Sequence, residues 1–111
     1  MRVAIVGSRM YTPLSKVVDY VNNLPEDTIV VSGGAIGVDS TAALAAKRRG
    51  LVVTVHLPDW TQYGRSAGFK RNQLIVDDCD MLAAFWDGTS KGTANSIDLA
   101  RKRGVLVEVY D

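Results

Sequence analysis

Cysteine and histidine are almost missing from this chain of 111 residues, which has one of each, Cys79 and His56. A single cysteine forms no internal disulfide, so stability has to come from packing. One cysteine and one histidine also fall short of the set of nitrogen and sulfur ligands that a zinc site needs, and no metal is expected. Cys79 reads as a small apolar packing residue and His56 as a structural one. An excess of one charge is also lacking, because 13 Lys and Arg face 12 Asp and Glu for a formal net charge of +1. That balance argues against a broad basic face for nucleic acid and leaves room only for a local patch. Long hydrophobic runs are absent as well. None approaches the roughly 20 residues of a membrane-spanning helix, so no membrane partner is expected. The segment Met1 to Gly7 puts one positive charge before an apolar run too short for a signal-peptide core, with no cleavage site behind it. It reads as a first strand, and the protein as cytoplasmic. No cofactor is expected.

What is present is a regular alternation. Hydrophobic residues make up 47% of the chain, enough for one buried core, and the length suits a single domain over residues 1–111. Val3 to Val6, Thr28 to Val31, Leu51 to Val55, Asp80 to Trp86 and Val105 to Val109 read as buried strands. Leu14, Val17, Val18 and Val21 recur at helical spacing, with Pro13 placed in the first turn and Pro25 closing the segment. Asp39 to Arg49, Arg65 to Asp78 and Thr93 to Arg103 supply three more helices. The stretch from Ala46 to Val53 resembles that from Ala100 to Val107, each reading as a basic helix end, a capping glycine and a strand. Five strands alternating with four helices predict an α/β fold, a Rossmann-like three-layer domain with a parallel five-stranded sheet and helices on both faces. Right-handed crossovers put the loops after the strands on one edge, where such sheets bind ligands.

Three of those loops carry candidate chemistry. Gly7-Ser8-Arg9 joins a glycine, which permits close approach of a ligand, to a hydroxyl and to a guanidinium able to grip phosphate with two hydrogen bonds. Ser32-Gly33-Gly34-Ala35-Ile36-Gly37-Val38-Asp39 opens the alanine-rich helix. Its glycines predict a concavity of backbone N–H groups at a helix N-terminus, suited to an anion. Asp39 reads either as the helix N-cap or as a partner for ribose hydroxyls. The third loop contains Gly88, Ser90, Lys91, Gly92 and Thr93 and repeats the pattern, with Thr93 either a cap or a ligand contact. Between the third strand and the third helix, Trp60 and Tyr63 either stack on a base or pack the loop. Arg65, Lys70 and Arg71 are phosphate partners or solvated charges.

Taken in order, Gly7-Ser8-Arg9, Ser32-Gly33-Gly34-Ala35-x-Gly37-x-Asp39, the segment from Tyr63 to Asn72 with its Arg71-Asn72 pair, and Ser90-x-Gly92-Thr93 resemble the SLOG superfamily. Within it the chain is similar to the small YspA/YpsA-related proteins. The resemblance implies the strand order 3-2-1-4-5, a nucleotide-type small-molecule ligand and pairing as a homodimer. In that reading the N–H groups of Gly33, Gly34, Gly92 and Thr93 meet a phosphate, helped by Arg9 or Arg71, and the ribose lies near Asp39. Two other branches imply alternatives. The cytokinin-activating phosphoribohydrolases suggest an N-glycoside hydrolase of nucleoside monophosphates, but Asn95 and Ser96 stand where their acidic residues belong. DNA-processing protein A shares several of the motifs and suggests single-stranded DNA, which the near-neutral charge disfavours.

Overall fold

In the computed structural model, which describes residues 1–111, every apolar run becomes a strand. The order along the chain is β1 (Arg2–Gly7), α1 (Ser15–Asn22), β2 (Ile29–Ser32), α2 (Val38–Arg48), β3 (Val52–Val55), α3 (Trp60–Tyr63), a 3₁₀ turn (Gly64–Ser66), α4 (Ala67–Asp77), β4 (Met81–Phe85), α5 (Lys91–Arg103) and β5 (Leu106–Tyr110). All strand pairs are parallel and the sheet runs β3-β2-β1-β4-β5, as the resemblance implied.

The central strand shows why the runs read as continuous rather than alternating. Side chains of β1 point to the two faces in turn, and both faces are covered. Val3 and Ile5 enter one core with Val17 and Val21 of α1, Val38, Ala42 and Ala46 of α2, and Phe85. Ala4 and Val6 enter the other with Val31, Ile75 and Val76 of α4, Leu82, and Ile97 and Ala100 of α5. The small residues of β4 and of α2 let helix and sheet approach closely. The two edge strands are less protected, and Val52 and Leu106 are each 61% exposed. The sequence echo is realised in matching geometry. The Leu51 N–H reaches back to Ala46 O at 2.9 Å, and the Val105 N–H reaches Ala100 O at 2.9 Å. No helix is long and apolar enough to cross a membrane.

The helix starts differ from expectation, each for a local reason. Pro13 stands outside α1, in a turn where its carbonyl accepts the Lys16 N–H at 3.2 Å. Helix α2 begins at Val38 with Gly37 as its cap residue, so Asp39 lies inside the first turn and caps nothing. Helix α5 begins at Lys91 behind Ser90, so Thr93 is its third residue and not its cap. The long connection after β3 is not a loop. Asp59 accepts the Gln62 N–H at 3.0 Å and starts the short helix α3, so the helix expected from Arg65 begins at Ala67.

Candidate functional site

Strands β1 and β4 lie side by side, and the chain leaves their carboxyl ends toward opposite faces of the sheet. A crevice opens there by topology alone. In this protein it is a cleft of about 460 Å³, within the usual range for a small-molecule site. Its walls come from four places: Gly7, Ser8 and Arg9 after β1, Ala35 and Asp39 around the start of α2, Arg71 and Asn72 on α4, and Ser90, Gly92 and Thr93 at the start of α5. Ser32, Gly33, Gly34, Gly37 and Gly88 do not line it.

The loop after β2 departs most from the sequence reading. Its amides do not form an open anion cradle. The Gly33 N–H donates to Asp39 Oδ2 at 3.2 Å, and the Gly34 N–H donates to Ser32 Oγ at 3.2 Å. Ser32 Oγ in turn donates to the Asp39 carbonyl at 3.3 Å. Backbone donors that already have partners have little left for a ligand. Gly37 serves geometry: its φ is +87°, and a Cβ there would lie 2.7 Å from the Arg9 carbonyl oxygen. It lets the loops after β1 and β2 touch. Gly7 does the same between β1 and its neighbours, since a Cβ there would lie 2.6 Å from both Phe85 O and Val38 Cγ2.

Asp39 is 5% exposed. Burial pushes its carboxyl up to about 6, against the pull of the Arg71 guanidinium and of the Ala35, Gly33 and Gly7 amides, which favour the ionised form. Burial likewise lowers Arg71, and Asp39 opposes that. The two side chains flank Gly33, where an added Cβ would come within 2.8 Å of both Arg71 Nη1 and Asp39 Oδ2. Arg71 Nη1 donates to the Gly33 carbonyl, and its Nε donates to Asn72 Oδ1 at 3.1 Å. Asn72 Nδ2 continues to Gly92 O at 3.3 Å and Asn95 Oδ1 at 3.1 Å. A polar chain thus runs from the β2 loop, through α4, to the first turn of α5. A guanidinium has five N–H donors, so Arg71 retains donors for a ligand.

The first turn of α5 forms the opposite wall. No side chain caps it, and Ser90 Oγ meets only Thr93 Oγ1, at 3.3 Å. The leading amides of a helix lack intrahelical acceptors and carry partial positive charge, so this end favours an anion. Asp87 holds the preceding turn: its Oδ1 accepts from the N–H groups of Thr89 at 2.9 Å and Ser90 at 2.8 Å, and these bonds hold its carboxyl below the usual carboxylate range. Ser8 is buried and ties the loops together, with its N–H on Phe85 O at 3.0 Å and its Oγ accepting the Asp87 N–H at 3.2 Å.

Where the hydrolase comparison placed acids, Asn95 accepts from Asn72 and Ser96 donates to Gly92 O at 3.3 Å. The carboxylates that do line the cleft are Asp39 and Asp87. Trp60 and Arg65, each read two ways from the sequence, line the cleft, and so do Asp87, Gly68 and Phe69, which were not among the candidates. Part of this was legible: Gly68, Arg71, Asn72 and Ile75 recur at helical spacing, which marks one face of α4. Tyr63 does not line the cleft, and Lys70 Nζ sits 4.8 Å above its ring. Trp86 is fixed by donation of its Nε1 to Ser90 O at 3.0 Å. His56 pairs with Asp78 at 2.9 Å, and no group of His, Cys, Asp and Glu is placed to hold a metal ion.

Two solved structures share this architecture. DNA processing protein A of Streptococcus pneumoniae superimposes with a TM-score of 0.84 at 20% identity, over 97% of this chain and 49% of that one. DNA processing protein A of Helicobacter pylori, described for its single-stranded DNA binding mode, gives 0.78 at 21% identity, over 98% of this chain and 64% of that one. The chain therefore spans about half to two thirds of these neighbours, and the likeness establishes the fold. No curated protein matches it. The profile of the YspA, cpYpsA-related SLOG family matches residues 1–63, which hold the Gly7-Ser8-Arg9 and Ser32-to-Asp39 motifs. With that match over more than half its length, and with the sheet order on which the motifs were placed, the chain belongs to the YspA, cpYpsA-related SLOG family.

Proposed function

We propose that the cleft binds a nucleotide or a nucleotide-derived ligand through its phosphate and ribose. The observation that carries this reading is the pairing, in one cleft, of the uncapped α5 N-terminus with the partly buried Arg71. The phosphate lies against the amides of Gly92 and Thr93, with Arg71 and Arg9 supplying charge. The ribose lies toward Asp39, a carboxyl able to accept from its hydroxyls. Of the four amides expected at the phosphate, only the two on α5 keep this role, because those of Gly33 and Gly34 already have partners.

A thermal-shift panel of nucleoside mono-, di- and triphosphates tests the reading, since a ligand that binds only the native state raises its apparent stability. The expected result is a concentration-dependent rise for at least one nucleotide that Arg71→Ala removes. No rise across the panel at millimolar concentration would overturn it. Asp39 and Asp87 also keep a hydrolase in view, and release of free base from nucleoside monophosphates above background would establish one.

The fold shared with DNA processing protein A, one of whose structures is described for binding single-stranded DNA, favours a second reading in which the same cleft holds one nucleotide of a strand. Retention of an oligonucleotide that free mononucleotides fail to displace would favour it over the first.

A further inference from the structure

The aromatic residues divide cleanly by what they touch. Tyr11, Tyr20, Phe85 and Tyr110 pack on one another, with ring centroids 4.9–5.6 Å apart. Trp86 is tied to Ser90, and Tyr63 lies under Lys70. Two remain, Trp60 and Phe69, and both line the cleft. Neither has an aromatic or cationic partner, and they are 59% and 51% exposed.

Exposed aromatic surface in a polar cleft is unfavourable in water and favourable under a flat apolar ring. Helix α3 carries the indole against the first turn of α4. A Cβ on Gly68 would lie 3.8 Å from Trp60 Cη2, so the indole edge lies beside Gly68, which lines the same cleft. Phe69 and Arg71 both stand on α4 and both line the cleft, although at two positions apart they do not share one helix face. Arg65 lines the same cleft, and its guanidinium makes no ion pair.

From this we infer that Trp60 and Phe69 form the seat on which the base of a nucleoside monophosphate stacks, with its phosphate at the α5 end of the cleft. The inference rests on the nucleotide reading above and adds to it the ligand class: an aromatic base joined to one phosphate through a single sugar. Arg65 offers donors to acceptors on the edge of the base. Stacking on a flat side chain accepts any base, so the seat separates nucleotides from sugar phosphates more than one base from another.

The test is calorimetric titration with AMP, ribose 5-phosphate and inorganic phosphate, run beside tryptophan fluorescence. AMP is expected to bind at least about tenfold more tightly than ribose 5-phosphate, the advantage that stacking on an aromatic face provides. It should also quench fluorescence in the native protein and not in Trp60→Phe, where Trp86 is the remaining indole. Trp60→Ala should bring AMP affinity down to that of ribose 5-phosphate and leave the latter unchanged. Equal affinity for AMP and ribose 5-phosphate would overturn the seat and leave the phosphate site standing. Quenching that persists in Trp60→Phe would also overturn the seat, because the base would then lie near Trp86. Binding of neither compound would overturn the monophosphate seat, and the nucleotide panel above decides the broader reading separately. An oligonucleotide without a terminal phosphate that binds while AMP does not would overturn the seat as well.

Discussion

Asp39 ties the end of β1 to the loop after β2 through the amides of Gly7, Gly33 and Ala35 and lies beside a guanidinium; all of these favour its ionised form, and its burial opposes them. Burial dominates and lifts the carboxyl to about 6. A carboxyl raised in the native state contributes full stability only while it is protonated in both states. The unfolded chain ionises near pH 4, so stability falls as the pH climbs from there through 6 and is level above that. Over that interval the native state loses roughly 3 kcal/mol. Asp39→Asn keeps an acceptor for the Gly33 amide and has no charge to bury. The variant should therefore match the parent near pH 4 and exceed it by about 1–3 kcal/mol at pH 8, as read from denaturant melts. An equal difference at both values would show that ionisation of Asp39 is not the cause. Arg71 differs in that it lines the cleft and retains donors. Arg71→Ala should weaken phosphate-bearing ligands by tenfold or more, the usual size of a lost charged hydrogen bond, and Arg71→Lys should restore only part of this.

Each connecting segment is shaped by a neighbour remote in sequence. Gly7 is the clearest case. Its Cβ position is blocked both by the carbonyl of Phe85 on β4 and by Val38 at the start of α2. One blocking atom belongs to the backbone and cannot rotate away, so Gly7→Ala has to push β1 from β4 or from α2. A loss of about 1–3 kcal/mol is expected in chemical denaturation, the usual range for overpacking. Because Ser8 and Asp87 form part of the same contact, ligand affinity should fall as well. A neutral Gly7→Ala would mean that the loops separate freely and that the cleft walls are not fixed against each other. The α5 end responds differently. Its first turn has no side-chain cap, so it retains the donors that the β2 loop has committed to Asp39 and Ser32.

A net charge of +1 limits what the molecule as a whole can do with a polyanion. The arginines that line the cleft are Arg9, Arg65 and Arg71. If oligonucleotides bind there, about three phosphates are neutralised, and the logarithm of affinity should fall against the logarithm of salt with a slope near −2. Fluorescence anisotropy between 50 and 300 mM salt measures it. A slope near −5 would require a wider basic face than the cleft provides.

The alternation of strands and helices, the basic helix ends and the glycines behind them were readable along the chain, because periodic burial and helix termination depend on residues a few positions apart. Ala46 to Val53 and Ala100 to Val107 show this, since alike sequences give alike hydrogen bonds. The family motifs were readable too. What each motif does was not. Gly33 and Gly92 look equivalent in sequence, each a glycine near a helix start after a buried strand. Folding places Asp39 and Arg71 on either side of Gly33, the latter 38 residues away, and leaves the start of α5 uncapped. A hydrogen-bonding group is available to a ligand only if no other part of the chain has already satisfied it, and that depends on contacts the linear order does not contain. The same holds for Trp60 and Tyr63. Three residues apart on one short helix, they are separated in role by the tertiary packing that puts the first in the cleft and the second beneath Lys70.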